Sequence, residues 1–434
     1  MFEFSSLTLP PASREAVRRI ESARKRVAFD RARRSRYYAG KLEHIDAERL
    51  DDPEEWARIP ILDKEALRRI DPEAFHEQFC IAPATDAVEY WRSGGSTGRP
   101  LFYPRSALDM QVTREMWRRL WRATGCDARD TAHISFPMGI HPVGHLYARV
   151  AEELGIATVW AGAGGNTPSE LQVELIRTLK PTVWCGMASY GLQLAALAER
   201  AGLDLANWSV RKLVCAAEPL SKAKREKLER LWNAEVFDQY GCTEIGAMGS
   251  ESECHDGLHV WTDLAYVEVV DEASGRPLPP GEPGVLVFTP YYTNTITPFL
   301  RWNTGDIVTL VEHGATTGPM AVYPMFRHAQ RTSGFFKVRG VNINHSDFED
   351  FMHRFAFVTD FRLEVAAGAT LDELRLQAEL RKGVDRTRAA VELAQAVKQT
   401  FEVTPSVECL EVGTLAQIFL SDVKAKRFVD SRAA

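Results

Sequence analysis

Ser93-Gly94-Gly95-Ser96-Thr97-Gly98-Arg99-Pro100 is the stretch around which the rest of the chain is read. Val88-Glu89-Tyr90-Trp91 before it and Leu101-Phe102-Tyr103-Pro104 after it both read as short strands. Small residues let a backbone approach a ligand closely and turn its N–H groups toward one point. The hydroxyls of Ser93, Ser96 and Thr97 add donors and Arg99 adds positive charge, which is what a polyphosphate requires. The stretch lacks the closing Lys-Ser/Thr pair of a G-x-x-x-x-G-K-[ST] loop. A plain Gly/Ser turn between two strands is the competing reading of the segment taken alone.

At 434 residues the chain is too long for one simple core, so at least two domains are expected. Hydrophobic residues make up 45% and charged residues 26%, the balance of a globular protein. The formal net charge of −6 argues against a general nucleic-acid partner, so the basic cluster at residues 31–36 reads as a solvated helix face. Seven scattered cysteines read as reduced thiols of a cytoplasmic protein. No apolar run suggests a signal peptide or a membrane span.

Between residues 106 and 232 helical and strand-like segments alternate, which argues for parallel sheet covered by helices. From residue 234 the texture changes: residues 236–244 run from a strand into a polar loop, and residues 258–310 alternate apolar and polar residues between Gly/Pro turns, a strand-rich and antiparallel texture. Residues 313–330 carry no period and read as a loop. Past Arg331 a smaller unit of strands and one helix follows. The expected fold is α/β: a large domain of parallel and mixed sheets with a strand-rich subdomain over residues 1–332, and a small mobile α+β domain over residues 333–434.

Residues 93–98, Tyr240-Gly241-Cys242-Thr243-Glu244, Thr304-Gly305-Asp306 and a lysine near the C-terminus occur in an order that resembles the adenylate-forming superfamily of acyl-CoA synthetases, adenylation domains and luciferases. Ala217-Glu218-Pro219, Asp256-Gly257-Leu258-His259-Val260, Leu278-Pro279-Pro280-Gly281-Glu282, Arg339-Gly340-Val341-Asn342-Ile343 and Lys424-Ala425-Lys426-Arg427 make it most similar to the phenylacetate-CoA ligase family. The resemblance implies a two-step reaction. A carboxylate attacks the α-phosphate of ATP to give acyl-AMP and pyrophosphate, and coenzyme A then displaces AMP to give a thioester.

The same resemblance assigns roles. Ser93, Gly94, Gly95, Ser96, Thr97 and Gly98 hold the β- and γ-phosphates. Glu244 ligates Mg²⁺, a cation that prefers carboxylate and phosphate oxygens. Thr243 donates to the α-phosphate, while Tyr240 with Gly241, and Ala217, Glu218 and Pro219, border the adenine. Asp306 accepts from the ribose hydroxyls and Arg331 lies near ribose and phosphate. Lys424 bridges carboxylate and α-phosphate, a task suited to a point charge on a flexible stem.

Three departures stand out. Ser333-Gly334 occupies the usual acidic hinge, though a glycine still absorbs backbone rotation. Val423 replaces the usual glycine before the lysine, which leaves Lys424 and Lys426 both open. Cys254, His255 and His259 resemble part of a zinc set found in some members, but residues 313–330 hold no cysteine. His313 or His328 would have to substitute, and zinc is not expected.

Strand-end loops supply the acyl pocket: Ser135, Phe136, Trp160, Gly162, Met187, Ser189, Tyr190 and Ala216. Aromatic walls and small residues suit a flat aryl acid, with hydroxyls to meet ring substituents. Phe136, Trp160 and Met187 also fit plain sheet core. The expected partners are a small carboxylic acid, ATP and coenzyme A, with no nucleic acid or membrane. A carrier-protein thiol or an amine as acceptor, a homodimer, and a catalytically degenerate nucleotide-binding protein all stay open.

Overall fold

The computed structural model describes residues 7, 9–93, 99–311, 317–331, 334–368, 371–419 and 426–432, with the backbone alone for 328–331. In chain order the strands are β1 (Ala87–Arg92), β2 (Phe102–Ser106), β3 (Thr131–Ile134), β4 (Ala157–Trp160), β5 (Val183–Gly186) and β6 (Lys212–Ala216). Then come β7 (Glu235–Cys242), β8 (Gly246–Ser250), β9 (Leu258–Val260), β10 (Ala265–Val270), β11 (Pro283–Pro290), β12 (Trp302–Val311) and β13 (Met325–Arg331). The last are β14 (Phe335–Val338), β15 (Val341–Asn344), β16 (Val358–Ala366), β17 (Glu373–Leu380), β18 (Ser406–Glu411) and β19 (Phe428–Asp430). The mixed α/β fold divides into two compact units, neither a continuous segment: residues 1–129, 138–156 and 237–332, and residues 130–137, 157–236 and 333–434.

In the first unit β1 and β2 form an antiparallel hairpin, with Trp91 opposite Tyr103 and Arg92 opposite Phe102. The glycine-rich stretch connects these two strands. A strand series β10-β11-β12-β13-β9-β8-β7 carries the rest, every internal pair antiparallel. Against it lies the helix Ala107–Ala123, started by a capping box in which Ser106 and Asp109 exchange side-chain and backbone bonds. The Arg301 guanidinium, buried where the chain enters β12, pairs with Glu268 at 2.9 Å and donates to the carbonyls of Ala57, Ile59 and Gly275.

In the second unit β6-β5-β3-β4 are all parallel. β5 and β6 are buried apolar runs, as strands covered on both faces must be. The helices Ser169–Leu179, Ala188–Arg200 and Lys222–Trp232 follow β4, β5 and β6. The same unit holds a four-stranded sheet ordered β18-β17-β16-β19. Phe348, Phe361, Leu376 and Leu393 are core residues of this part. β14 and β15 turn on Arg339-Gly340, both at positive φ, with Val338 opposite Val341.

The loop expected over residues 313–330 is partly strand. β13 pairs with β12 and with β9. Its lack of a period hides the state, and β12 pairs along it while β9 pairs at Met325 and Phe326. Glu268 also accepts from Trp56 Nε1 at 3.0 Å. Because a buried charge without its partner is costly, Glu268→Ala is expected to destabilise the protein by about 3–5 kcal/mol. A urea melt measures this, and a cost near zero would contradict it.

Candidate functional site

The base of the glycine-rich stretch is closed by one residue pair. Ser93 donates its N–H to the Leu101 carbonyl at 2.9 Å, and its Oγ accepts the Leu101 N–H at 3.1 Å. Gly94, Gly95, Ser96, Thr97 and Gly98 lie outside the described residues. Arg99, expected to lend charge to the loop, instead donates to the carbonyls of Arg68 and Ile70 at 2.9 and 2.8 Å. These carbonyls lie at and just past the C-terminal end of the helix Lys64–Arg68, where a cation is well placed.

Tyr240-Gly241-Cys242-Thr243-Glu244 runs off β7 into the turn toward β8. A Cβ on Gly241 would stand 2.6 Å from the Gly246 carbonyl oxygen, so only glycine fits this approach. Glu244 is buried, 5% exposed, and Tyr103 donates to its Oε1 at 3.1 Å. Lys64 Nζ stands 3.7 Å from the same oxygen. The fully buried Arg105 donates to the carbonyls of Thr243, Glu244 and Thr293 at 2.6, 2.7 and 2.9 Å. Trp91 lies under that guanidinium, 4.5 Å from ring centroid to Cζ.

Tyr240 donates to Asp306 Oδ2 at 2.6 Å, with Phe326 against its ring at 5.1 Å. Burial, reinforced by the Asp306 carboxylate, holds the Tyr240 phenol well above its ordinary value, so it remains a donor. Asp306 sits on β12 at an irregularity in its pairing with β11, which side chains hold. Asn303 accepts the Gly305 N–H at 2.7 Å and Thr304 accepts the Asp306 N–H at 3.1 Å. The backbone of Arg331 stands opposite Asp306 in the β12–β13 register.

Every residue expected to line the acyl pocket falls in the second unit, at or just beyond the ends of β3, β4, β5 and β6. Phe136, Met187 and Ala216 are buried, whereas Trp160 is 44% exposed and bonds Thr158 Oγ1 at 3.0 Å. Ser135 Oγ donates to Gln172 Oε1 at 2.7 Å, and Gln172 Nε2 donates to the carbonyls of Gly162 and Thr167 at 2.8 and 3.1 Å. His133 Nε2 bonds the same Gln172 oxygen at 3.2 Å. Sequence reading missed Gln172, which ties two of the loops together. A buried glutamine inside an amphipathic helix carries no motif, and only its burial marks it.

Tyr190 shares a 3.0 Å hydrogen bond with Ser169, and burial pushes its phenol up to about 12. Glu218 accepts from the Ser189 N–H and Oγ at 2.6 and 2.8 Å, at the start of the helix Ala188–Arg200. A carboxylate there also complements the helix dipole. Lys224, buried, lies 3.5 Å from Glu218 and 2.9 Å from Glu349. Ala217 adopts φ +71°, a left-handed conformation uncommon for alanine. Among the described residues no group of three His, Cys, Asp or Glu side chains could hold a metal ion, and His255 bonds Glu251. His313 and the side chain of His328 lie outside the described residues.

Residues 15–293 match the family described as AMP-binding enzyme, and residues 340–432 match the AMP-binding enzyme C-terminal domain. The chain belongs to the AMP-binding enzyme family. It is 30% identical over 386 residues to the phenylacetate-coenzyme A ligase of Escherichia coli (strain K12), covering 86% of this chain and 85% of that one. Against the phenylacetate-coenzyme A ligase of Thermus thermophilus it is 31% identical over 387 residues, covering 88% and 84%. A crystal structure of 2-hydroxyisobutyryl-CoA ligase in the postadenylation state with 2-HIB-AMP has the same fold, with a TM-score of 0.84 at 23% identity over 98% of this chain and 91% of that one.

In this AMP-binding enzyme Lys424 lies outside the described residues, while Lys426 and Arg427 lie within them. Arg427 pairs with Asp360 on β16 at 2.8 Å, both largely buried. Glu379, opposite Asp360 on β17, accepts the Gly413 N–H at 3.1 Å and the Leu415 N–H. Burial, with Asp360 nearby, raises Glu379 to about 7. Gly334, with φ +147°, accepts the His345 N–H at 2.8 Å through its carbonyl. Among the described residues no helix is long and apolar enough to cross a membrane.

Burial lowers His133, His345 and His353 to about 4 each. Their unfolded counterparts take up protons at about 6.5. The folded protein therefore binds fewer protons in that interval, and the stability these groups contribute is lost as pH falls from about 6.5 toward about 4. Glu379, raised to about 7, gains stability as pH falls through the same interval and offsets part of this loss. With Glu379 replaced by Gln, urea midpoints should decline as pH falls across the interval, whereas a flat profile in that variant would count against neutral buried imidazoles.

Proposed function

We propose that this ATP-dependent, AMP-forming acid–CoA ligase activates an aryl acid, with magnesium held at Glu244. The observation that carries the nucleotide site is the convergence, within one compact unit, of residues far apart in sequence: Tyr240 on Asp306, and Tyr103 and Arg105 on the Thr243–Glu244 turn. The aryl preference is supported by the phenylacetate-coenzyme A ligases to which the chain is about 30% identical, and by Tyr190, Phe136 and Trp160 at the strand-end loops.

The first half-reaction brings a carboxylate to a polyphosphate, two anions whose repulsion must be offset by aimed donors and positive charge. In this reading Ser93 and residues 94–98 hold the β- and γ-phosphates, and Thr243 donates to the α-phosphate. Tyr240, Gly241 and Ala217-Glu218-Pro219 border the adenine. Asp306, whose Oδ2 is held by Tyr240, accepts from the ribose, and Arg331 lies near ribose and phosphate. A buried carboxylate oxygen is the donor a hard divalent cation prefers, and Glu244 fits that need. Magnesium, when bound, neutralises phosphate charge. The carboxylate oxygen attacks the α-phosphorus and pyrophosphate leaves; the coenzyme A thiol then attacks the acyl carbon and AMP leaves.

Residues 333–434 act as the small mobile domain, turning at Gly334 and delivering Lys424 to the first half-reaction. Ser135, Phe136, Trp160, Gly162, Met187, Ser189, Tyr190 and Ala216 line the acid pocket. The protein works in the cytoplasm, a reading supported by seven cysteines with no disulfide among the described residues.

Pyrophosphate exchange across an acid panel, with coenzyme A consumption followed in parallel, tests the substrate class. Aryl acids should support both signals, and activity confined to fatty acids would overturn the aryl reading. Glu244→Gln and Asp306→Ala should each lower exchange at least about 100-fold. Unchanged rates would remove the nucleotide site.

A further inference from the structure

Tyr103 and Arg105 are two apart on β2, so their side chains leave the same face of the strand. Both are fully buried. The Tyr103 ring is packed edge-on against Phe299 at 5.3 Å and tilted against Phe75 at 6.2 Å. Its hydroxyl reaches Glu244 Oε1 at 3.1 Å. Arg105 takes the carbonyls on both sides of the Glu244 Cα, those of Thr243 and of Glu244 itself. One strand therefore restrains the turn twice: the guanidinium sets its backbone, and the phenol sets its carboxylate.

The carboxylate is held asymmetrically. Among the described residues its protein contacts, from Tyr103 at 3.1 Å and Lys64 at 3.7 Å, both fall on Oε1. A carboxylate with one oxygen engaged presents the other in a defined direction. A donor that only satisfied its own burial would have no reason to end on this group, since a backbone carbonyl serves equally well.

We propose that Tyr103 is a positioning residue for the reaction: by taking Oε1 of Glu244 it aims Oε2 at the divalent cation carried by the nucleotide. This rests on reading Glu244 as the metal ligand. Hydrogen-bonded partners of ligating carboxylates commonly set metal affinity, and their loss weakens it by about 10–100-fold. Arg105 provides the fixed turn on which that aim depends.

Tyr103→Phe removes one oxygen and keeps the ring among its aromatic neighbours. Mn²⁺ titrated into the full-length protein with ATP, with free Mn²⁺ followed by electron paramagnetic resonance, should give a dissociation constant raised about 10-fold. ATP binding in EDTA should stay unchanged, and the magnesium needed for half-maximal rate should rise while the acid KM does not. Saturating magnesium should restore the rate, a rescue that a loss of packing would not permit. Mn²⁺ binding equal to wild type, or a rate deficit that excess magnesium leaves in place, would overturn the proposal. Glu244→Gln is the separate control. If it too binds Mn²⁺ normally with ATP, the metal-ligand reading fails. If it loses the metal while Tyr103→Phe does not, only the positioning role fails. Should Tyr103→Phe melt far below wild type, Lys64→Met decides: normal Mn²⁺ affinity there supports the phenol as the group that holds Oε1, and a loss of about 10-fold there assigns the hold to the lysine and overturns the proposal.

Discussion

The buried guanidinium of Arg105 is the constraint on which the nucleotide side of this protein depends. Burying a cation is costly, and here its hydrogen bonds go to three carbonyls, those of Thr243, Glu244 and Thr293. Burial pulls its proton affinity down, opposed by the nearby Asp109 and Glu244 carboxylates. The Asp109 and Glu244 carboxylates and the three carbonyl dipoles offset that cost. Without Arg105, the peptide groups that precede and follow Glu244 would lose their anchor. Arg301 plays a comparable part at the start of β12, gathering Ala57, Ile59 and Gly275 before the chain reaches Asp306. Arginine suits both positions because its fork of donors serves several carbonyls from one plane.

The second unit solves a similar problem with a neutral group. Gln172 joins His133, Ser135, Gly162 and Thr167, so loops that follow different strands share one polar knot. Its amide both donates and accepts, as linking a hydroxyl to carbonyls requires. Lys224 ties the helix Lys222–Trp232 to Glu349 on the helix His345–His353. Burial opposes ionisation of Glu349, and the Lys224 ammonium holds its carboxyl below the usual carboxylate range nonetheless. Further along the chain, Asp360 and Glu379 stand opposite one another on neighbouring strands. They hold Arg427 on one side and the Gly413 and Leu415 amides on the other.

Much of this was legible in the sequence. The alternation over residues 106–232 and the strand texture after residue 234 correspond to β3–β6 with their helices and to β7–β12. The ordered motifs pointed to the AMP-binding enzyme family that the chain matches over residues 15–293. What escaped reading shares a physical cause. β13 pairs with β12, and with β9 at Met325 and Phe326, and no period in residues 313–330 announces those partners. Arg99 reads as a phosphate-facing charge, yet the end of a neighbouring helix claims it. Tyr103 and Gln172 bear no motif, and their partners are far away in sequence.

The amino-acid sequence by itself determined most helices and strands up to β12, because period and caps are local, and which reaction class the loops serve, because their order along the chain is specific. Only the tertiary structure decided which oxygen of Glu244 the protein occupies, which residue holds it, and which buried charges hold the turns. Those outcomes depend on groups brought together across 141 positions, as Tyr103 and Glu244 are. Their pairing is set by burial and desolvation, which exist only once the core has closed.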